Sequence, residues 1–86
     1  MTTTTTELKS YKINAFWDAE SGVWVATSED VPGLATEAET LDFLDSKLKQ
    51  MIPELLILNG LISANYTGSI TIELSTHRQE IIKVVS

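Results

Sequence analysis

Apolar side chains fall on every second position at the start of this chain. Tyr11, Ile13, Ala15 and Trp17 alternate with Lys12, Asn14 and Phe16, the period of two that a pleated strand requires. The polar run Asp18-Ala19-Glu20-Ser21-Gly22 follows. It is short and ends in glycine, as suits a hairpin loop with one residue at positive φ. Val23-Trp24-Val25-Ala26-Thr27 is β-branched and aromatic and predicts a second strand.

Two hairpin registers are open at this point. A five-residue loop pairs Trp17 with Val23, puts Ile13, Ala15 and Val25 on one face, and leaves Phe16 and Trp24 on the other. A four-residue loop instead sets Trp24 and Ala26 beside Ile13 and Ala15. One residue of slip exchanges the buried and exposed sets. In both registers each face carries apolar side chains, so an aromatic cluster drawn from Phe16, Trp17 and Trp24 is expected outside the core, as a candidate partner interface.

Ser28 to Gly33 must then leave the hairpin. Pro32 cannot donate a ladder hydrogen bond and drives Val31 toward extended backbone, while Gly33 permits a turn that other residues resist. Pro32 and Gly33 are therefore expected to form a structural turn. Leu34 to Glu39 predicts a short edge strand with Leu34, Thr36 and Ala38 on one side. Thr40 suits a helix N-cap, and Asp42 sits where the helix dipole favours a carboxylate. Leu41, Leu44, Leu48, Met51, Ile52, Leu55 and Leu58 then recur at three- and four-residue steps, the stripe of an amphipathic helix on a sheet. The stripe keeps its phase across Pro53, so one kinked helix is expected over about Leu41 to Leu58, stopped by Asn59-Gly60. Phe43 falls on the polar face, beside Thr40, Ser46 and Lys47, and joins the candidate interface. Ile70, Ile72 and Leu74 alternate in a last strand over about Ser69 to Thr76. His77 to Ser86 holds four more aliphatics that extend this strand or pair with a neighbouring chain. The order is β-β-β-α-β, an α+β layer with one helix on one face of an antiparallel sheet.

Composition narrows the function classes. With 86 residues, one domain is expected over residues 7–86, after a disordered threonine-rich tail at 1–6. That tail lacks the basic start and apolar segment of a secretory signal, and no apolar run approaches the length of a membrane span. There are no cysteines, which removes disulfides, thiolate chemistry and cysteine zinc sites and fits a reducing cytoplasm. Twelve acids against six bases give a net charge of −6. That balance repels nucleic-acid phosphates and favours a basic partner.

Catalytic signals are weak. His77 is the only histidine, with no sequence-legible nucleophile or orienting carboxylate. The acids Asp18, Glu20, Glu29, Asp30, Glu37, Glu39, Asp42 and Asp45 fall on loops, a turn, an edge strand and a first helical turn, where solvated charge is expected. The four glycines are too scattered for a phosphate loop. No catalytic residue, cofactor or metal is expected.

Val25-Ala26, then Asp30-Val31-Pro32-Gly33-Leu34, Thr36-Glu37 and Thr40-Leu41 before an amphipathic helix resemble the HicB family of antitoxins, over roughly Tyr11 to Gly60. The stretch "FWDAESGVWVATSEDVPGLATEAETL" looks most like a single-domain, uncharacterised branch of that group. The resemblance implies a β-β-β-α-β fold like a partial ribonuclease H or double-stranded-RNA-binding layer. It also implies a non-enzymatic role: covering a small basic mRNA-cleaving toxin. Many relatives add a C-terminal DNA-binding module; the eleven residues after Ser75 are too few for one, so DNA binding is not carried over. Phe43 stands where the family usually places an acid, and Pro53 is unusual there. The expectation is a cytoplasmic protein-binding domain, a homodimer, with a toxin-like partner. The alternatives are a stand-alone homo-oligomer or a small carboxylate-based ligand-binding protein, the latter favoured by a pocket ringed by Glu37, Glu39 and Asp42.

Overall fold

The computed structural model describes residues 10–85; the expected tail at 1–6 lies outside the described residues. The elements are β1 (Ser10–Asp18), β2 (Val23–Thr27), β3 (Ala35–Ala38), α1 (Leu41–Leu58) and β4 (Thr71–His77). They form one four-stranded sheet in the order β3-β2-β1-β4, with α1 on one face. The α+β class and the β-β-β-α-β order match the sequence pattern.

The sheet is mixed, where a wholly antiparallel one was expected. β1–β2 and β2–β3 are antiparallel, but β4 pairs parallel to β1, from Ser10 opposite Thr71 to Phe16 opposite His77. Two antiparallel steps leave β3 pointing the same way as β1. The 18-residue helix then carries the chain back across the face, so β4 sets out in the direction of β3 and lands beside β1. Crossovers of this length join parallel strands, whereas tight hairpins join antiparallel ones.

The hairpin takes the four-residue loop. Trp17 pairs with Trp24 and Asp18 with Val23. Asp18 closes the loop itself: its carbonyl accepts from Gly22 N at 2.8 Å, and its Oδ1 from Glu20 N and Ser21 N at 3.1 and 3.3 Å. Gly22 has φ +67°, a conformation open to glycine at little steric cost. This register sends Tyr11, Ile13 and Ala15 of β1 to the helix-covered face with Trp24 and Ala26 of β2. Val31, Leu34, Ala38 and the helix stripe Leu44, Leu48, Ile52 and Leu56 complete the core.

α1 is one uninterrupted helix through Pro53. Thr40 Oγ1 accepts from Phe43 N at 3.1 Å, which satisfies one free amide of the first turn. At the other end Gly60 has φ +71°, Gly60 N donates to Ile57 O, and Leu61 N donates to Leu56 O. That pair of bonds is a Schellman stop. The helix lies over β3 and β2 and leaves β4 less covered, so Ile70, Ile72 and Leu74 are only half-buried.

The segment from Ser28 to Gly33 is a structural clamp. Lys12 stands in register opposite position 29, just past the last β1–β2 pair at Asn14 and Thr27. Its backbone bonds toward β2 are made by the side chains on either side of Glu29. Ser28 Oγ donates to Lys12 O at 2.6 Å, and Lys12 N donates to Asp30 Oδ2 at 2.7 Å. Ser28 Oγ also accepts from Asp30 N and Val31 N. The turn closes with Leu34 N donating to Val31 O at 3.2 Å and Gly33 at φ +84°. Asn59 Nδ2 donates to Pro32 O and to Leu55 O, tying the turn to the end of α1.

Ser28→Ala removes three hydrogen bonds, one of them from the amide of the buried Val31. It is expected to lower unfolding free energy by about 1–3 kcal/mol. Urea denaturation checks this, and a change below the error of the extrapolation contradicts the clamp.

Candidate functional site

The register sorts the four candidate interface aromatics into different environments. Trp24 is 7% exposed and belongs to the core. It is withdrawn from the expected interface because the four-residue loop turns it toward α1. Trp17 is half-buried beside it, with ring centroids 5.4 Å apart and planes at 58°. The other two are at the surface: Phe16 is 48% exposed and Phe43 is 59% exposed.

Phe16 lies on the sheet face opposite the helix, cross-strand from Val25 on one side and His77 on the other. Its ring stacks on the His77 imidazole at 4.9 Å and 20°. That contact occupies the only histidine of the chain with an aromatic neighbour and no acid. Arg78 places its guanidinium 4.5 Å above the Trp17 ring. Phe16, Trp17, His77 and Arg78 thus share one shallow depression at the end of β1 and β4, together with Thr76 and Gln79. Its aromatic and cationic lining suits surface recognition.

Phe43 lies at a different edge. Thr40 caps α1 directly after β3, so the first helical turn stands against the outer strand of the sheet. A shallow groove of about 350 Å³ there is lined by Val23, Glu37, Ala38, Glu39, Phe43 and Lys47. Lys47 spans it: Nζ donates to Glu37 O at 2.6 Å and stands 5.3 Å from the centre of the Phe43 ring. Lys47 thereby bridges the groove and packs beside Phe43 on the polar side of the helix. Glu37 and Glu39 line the groove with exposed carboxylates. Asp42, also exposed, belongs to the adjacent first helical turn. The groove thus sets an exposed aromatic, with the Lys47 ammonium beside its ring, next to the two carboxylates of Glu37 and Glu39.

The remaining acids do structural or solvated work. Asp18 holds the hairpin loop and Asp30 the clamp; Asp45 forms an exposed ion pair with Lys49 at 3.0 Å. Among the described residues no group of three His, Asp or Glu side chains is placed to hold a metal ion. Pro32 and Gly33 sit in the turn expected of them. Ser28, Asp30 and Arg78 are the residues whose contacts the sequence pattern did not reveal. Their partners lie 18 residues away for Asp30 and 16 for Ser28, beyond any local spacing rule.

Fold and surface together define a small open-faced α+β layer with a shallow depression at the end of β1 and β4 and another at the β3 edge. The chain belongs to the family described as a domain of unknown function, DUF1902, whose model matches residues 10–86. It is also similar to a solved structure, that of the hypothetical protein TTHA1013 from the extremely thermophilic bacterium Thermus thermophilus. The two share 43% identity over 86% of this chain and 100% of that one, with a TM-score of 0.67. No curated protein matches the chain. No described helix is long and apolar enough to cross a membrane.

Trp24→Ala is expected to cost about 3–5 kcal/mol of stability, and Phe43→Ala to leave it within about 0.5 kcal/mol. Chemical denaturation of the two variants tests the assignment. Equal losses would contradict the separation of core from surface aromatics.

Proposed function

We propose that this chain is a non-enzymatic protein-binding domain of HicB-like type, the antitoxin of a toxin–antitoxin pair that covers a small basic mRNA-cleaving toxin. The observation that carries the reading is the β3–α1 edge. There Phe43, exposed on the polar face of α1, shares a groove with Glu37, Glu39 and Lys47, and Asp42 adjoins it in the first helical turn. A basic protein meets complementary charge at that edge and an aromatic anchor at its centre. The net charge of −6 points the same way, because it accelerates encounter with a cation and opposes contact with RNA or DNA. The resemblance over Tyr11 to Gly60 supplies the partner class. The site of action is the cytoplasm, where the toxin's mRNA substrate is found, and no cofactor is needed.

The role needs no reaction centre. The toxin's active surface is blocked by occupancy alone, and the domain contributes shape, charge and a fixed edge. A stand-alone homo-oligomeric role is the second reading. It is favoured by the aliphatic segment that follows β4.

The test is binding to a small basic ribonuclease encoded beside this chain, with inhibition of RNA cleavage as the functional readout. Saturable inhibition is expected, with association slowing as salt rises. Phe43→Asp combined with Glu37→Lys is expected to weaken it by about tenfold or more. The absence of such a neighbour, or one whose cleavage is unaffected, contradicts the proposal.

A further inference from the structure

Among the described residues, the strand β4 and the segment after it leave two unpartnered surfaces on one molecule. β4 is the sheet edge opposite β3, and its outer side has no strand partner among the described residues. Because α1 lies over β3 and β2, an apolar groove of about 200 Å³ opens between the helix and β4. Leu48, Ile52, Pro53, Ile70 and Ile72 line it, with the Asp45–Lys49 pair at the rim.

Beyond His77 the chain continues as an arm. Residues 78–85 form no helix or strand. Ile81, Ile82, Val84 and Val85 are between 86% and 93% exposed. Four β-branched aliphatics in five positions suit a strand and are costly to leave in water. The root of this arm is held forward, with Arg78 over Trp17 and 3.6 Å from Glu80. Residues 77–85 contain no Gly, Pro, Asn or Asp, so the chain lacks the residues that would fold the arm back on its own β4 as a hairpin.

We propose that the arm is exchanged between two copies of this chain. Each arm lies along the outer edge of the partner copy's β4 and sets Ile82 and Val84, which share one face of an extended strand, against the partner copy's α1–β4 groove. The occupant is a second copy because donor and acceptor surfaces are on the same molecule and unused there, and a two-fold arrangement closes both at once. The lengths agree. Eight extended residues span about 26 Å and the seven of β4 about 23 Å, at about 3.3 Å per residue. The arm, the β4 edge and the groove residues supply about 20 residues a side, the size of a standard stable interface. Backbone pairing along an open edge gives affinity, and the groove selects the side chains.

Sedimentation equilibrium of the full chain at micromolar concentration is expected to give twice the 9.5 kDa chain mass. The double variant Ile82→Asp, Val84→Asp leaves the core untouched. It is expected to keep the far-ultraviolet spectrum while the dimer dissociation constant rises at least about a hundredfold. Amide exchange along β4 is expected to quicken in the same variant. A wild-type monomer at micromolar concentration overturns the proposal, as does a dimer that survives the double substitution or one whose loss leaves β4 exchange unchanged. So does a chain that associates only with a different protein. β3 and β4 are opposite edges, so this test is independent of the one for a basic partner.

Discussion

Asp18 closes the β1–β2 loop at both its carbonyl and its carboxylate, and Gly22 completes the turn in a backbone conformation that side chains resist. The result is a loop of four residues, and loop length sets register. Every later division of the molecule follows from that pairing. Trp24 and Ala26 face the helix with Ile13 and Ala15, whereas Phe16 and Val25 face away. A loop one residue longer would move Trp24 to the open face and take the largest side chain out of a core that is otherwise aliphatic apart from Tyr11.

Sheet and helix are then joined where the hairpin ends. β2 stops at Thr27, yet Lys12 still has backbone bonds to satisfy on that side, and Ser28 and Asp30 supply them with side chains. The chain is freed to turn at Pro32-Gly33, and Asn59 binds that turn to the end of α1. Helix placement follows: α1 is anchored near β3 and the turn, so it covers that half of the sheet better than the half near β4. The same anchoring that completes the core under β2 and β3 leaves Ile70, Ile72 and Leu74 half-buried. The two surfaces proposed for binding arise from this asymmetry. One is the acidic β3–α1 edge held close by Lys47, and the other is the open groove at β4 with the aliphatic arm beyond it.

Element order and the helix were legible because their signals are local. Thr40, the stripe from Leu41 to Leu58 and Asn59-Gly60 mark a start, a face and a stop within a few residues of one another, and α1 has those bounds. The edge position of β3 was legible from its length and charge. Register was not, since Trp17 opposite Val23 and Trp17 opposite Trp24 both leave apolar side chains on each face. What decides between them is the internal bonding of Asp18. The parallel seating of β4 was also hidden, because strand direction depends on where a helical crossover lands and not on alternation within the strand. At the candidate site, Phe43 was recognisable as an aromatic on a polar helix face. The clamp on Lys12 and the Arg78–Trp17 contact join residues far apart in sequence and leave no periodic trace.

The most direct measurement is the set of cross-strand nuclear Overhauser contacts between Hα protons in the β1–β2 hairpin. Positions 12, 14, 16 and 18 turn their backbone bonds toward β2, so Trp17 and Trp24 form a non-hydrogen-bonded pair with the closest Cα approach, about 4.5 Å. Strong Hα–Hα contacts are predicted between Trp17 and Trp24 and between Ala15 and Ala26. Contacts pairing Trp17 with Val23 and Phe16 with Trp24 would contradict the register, and with it the division of core from surface on which both proposed binding edges rest.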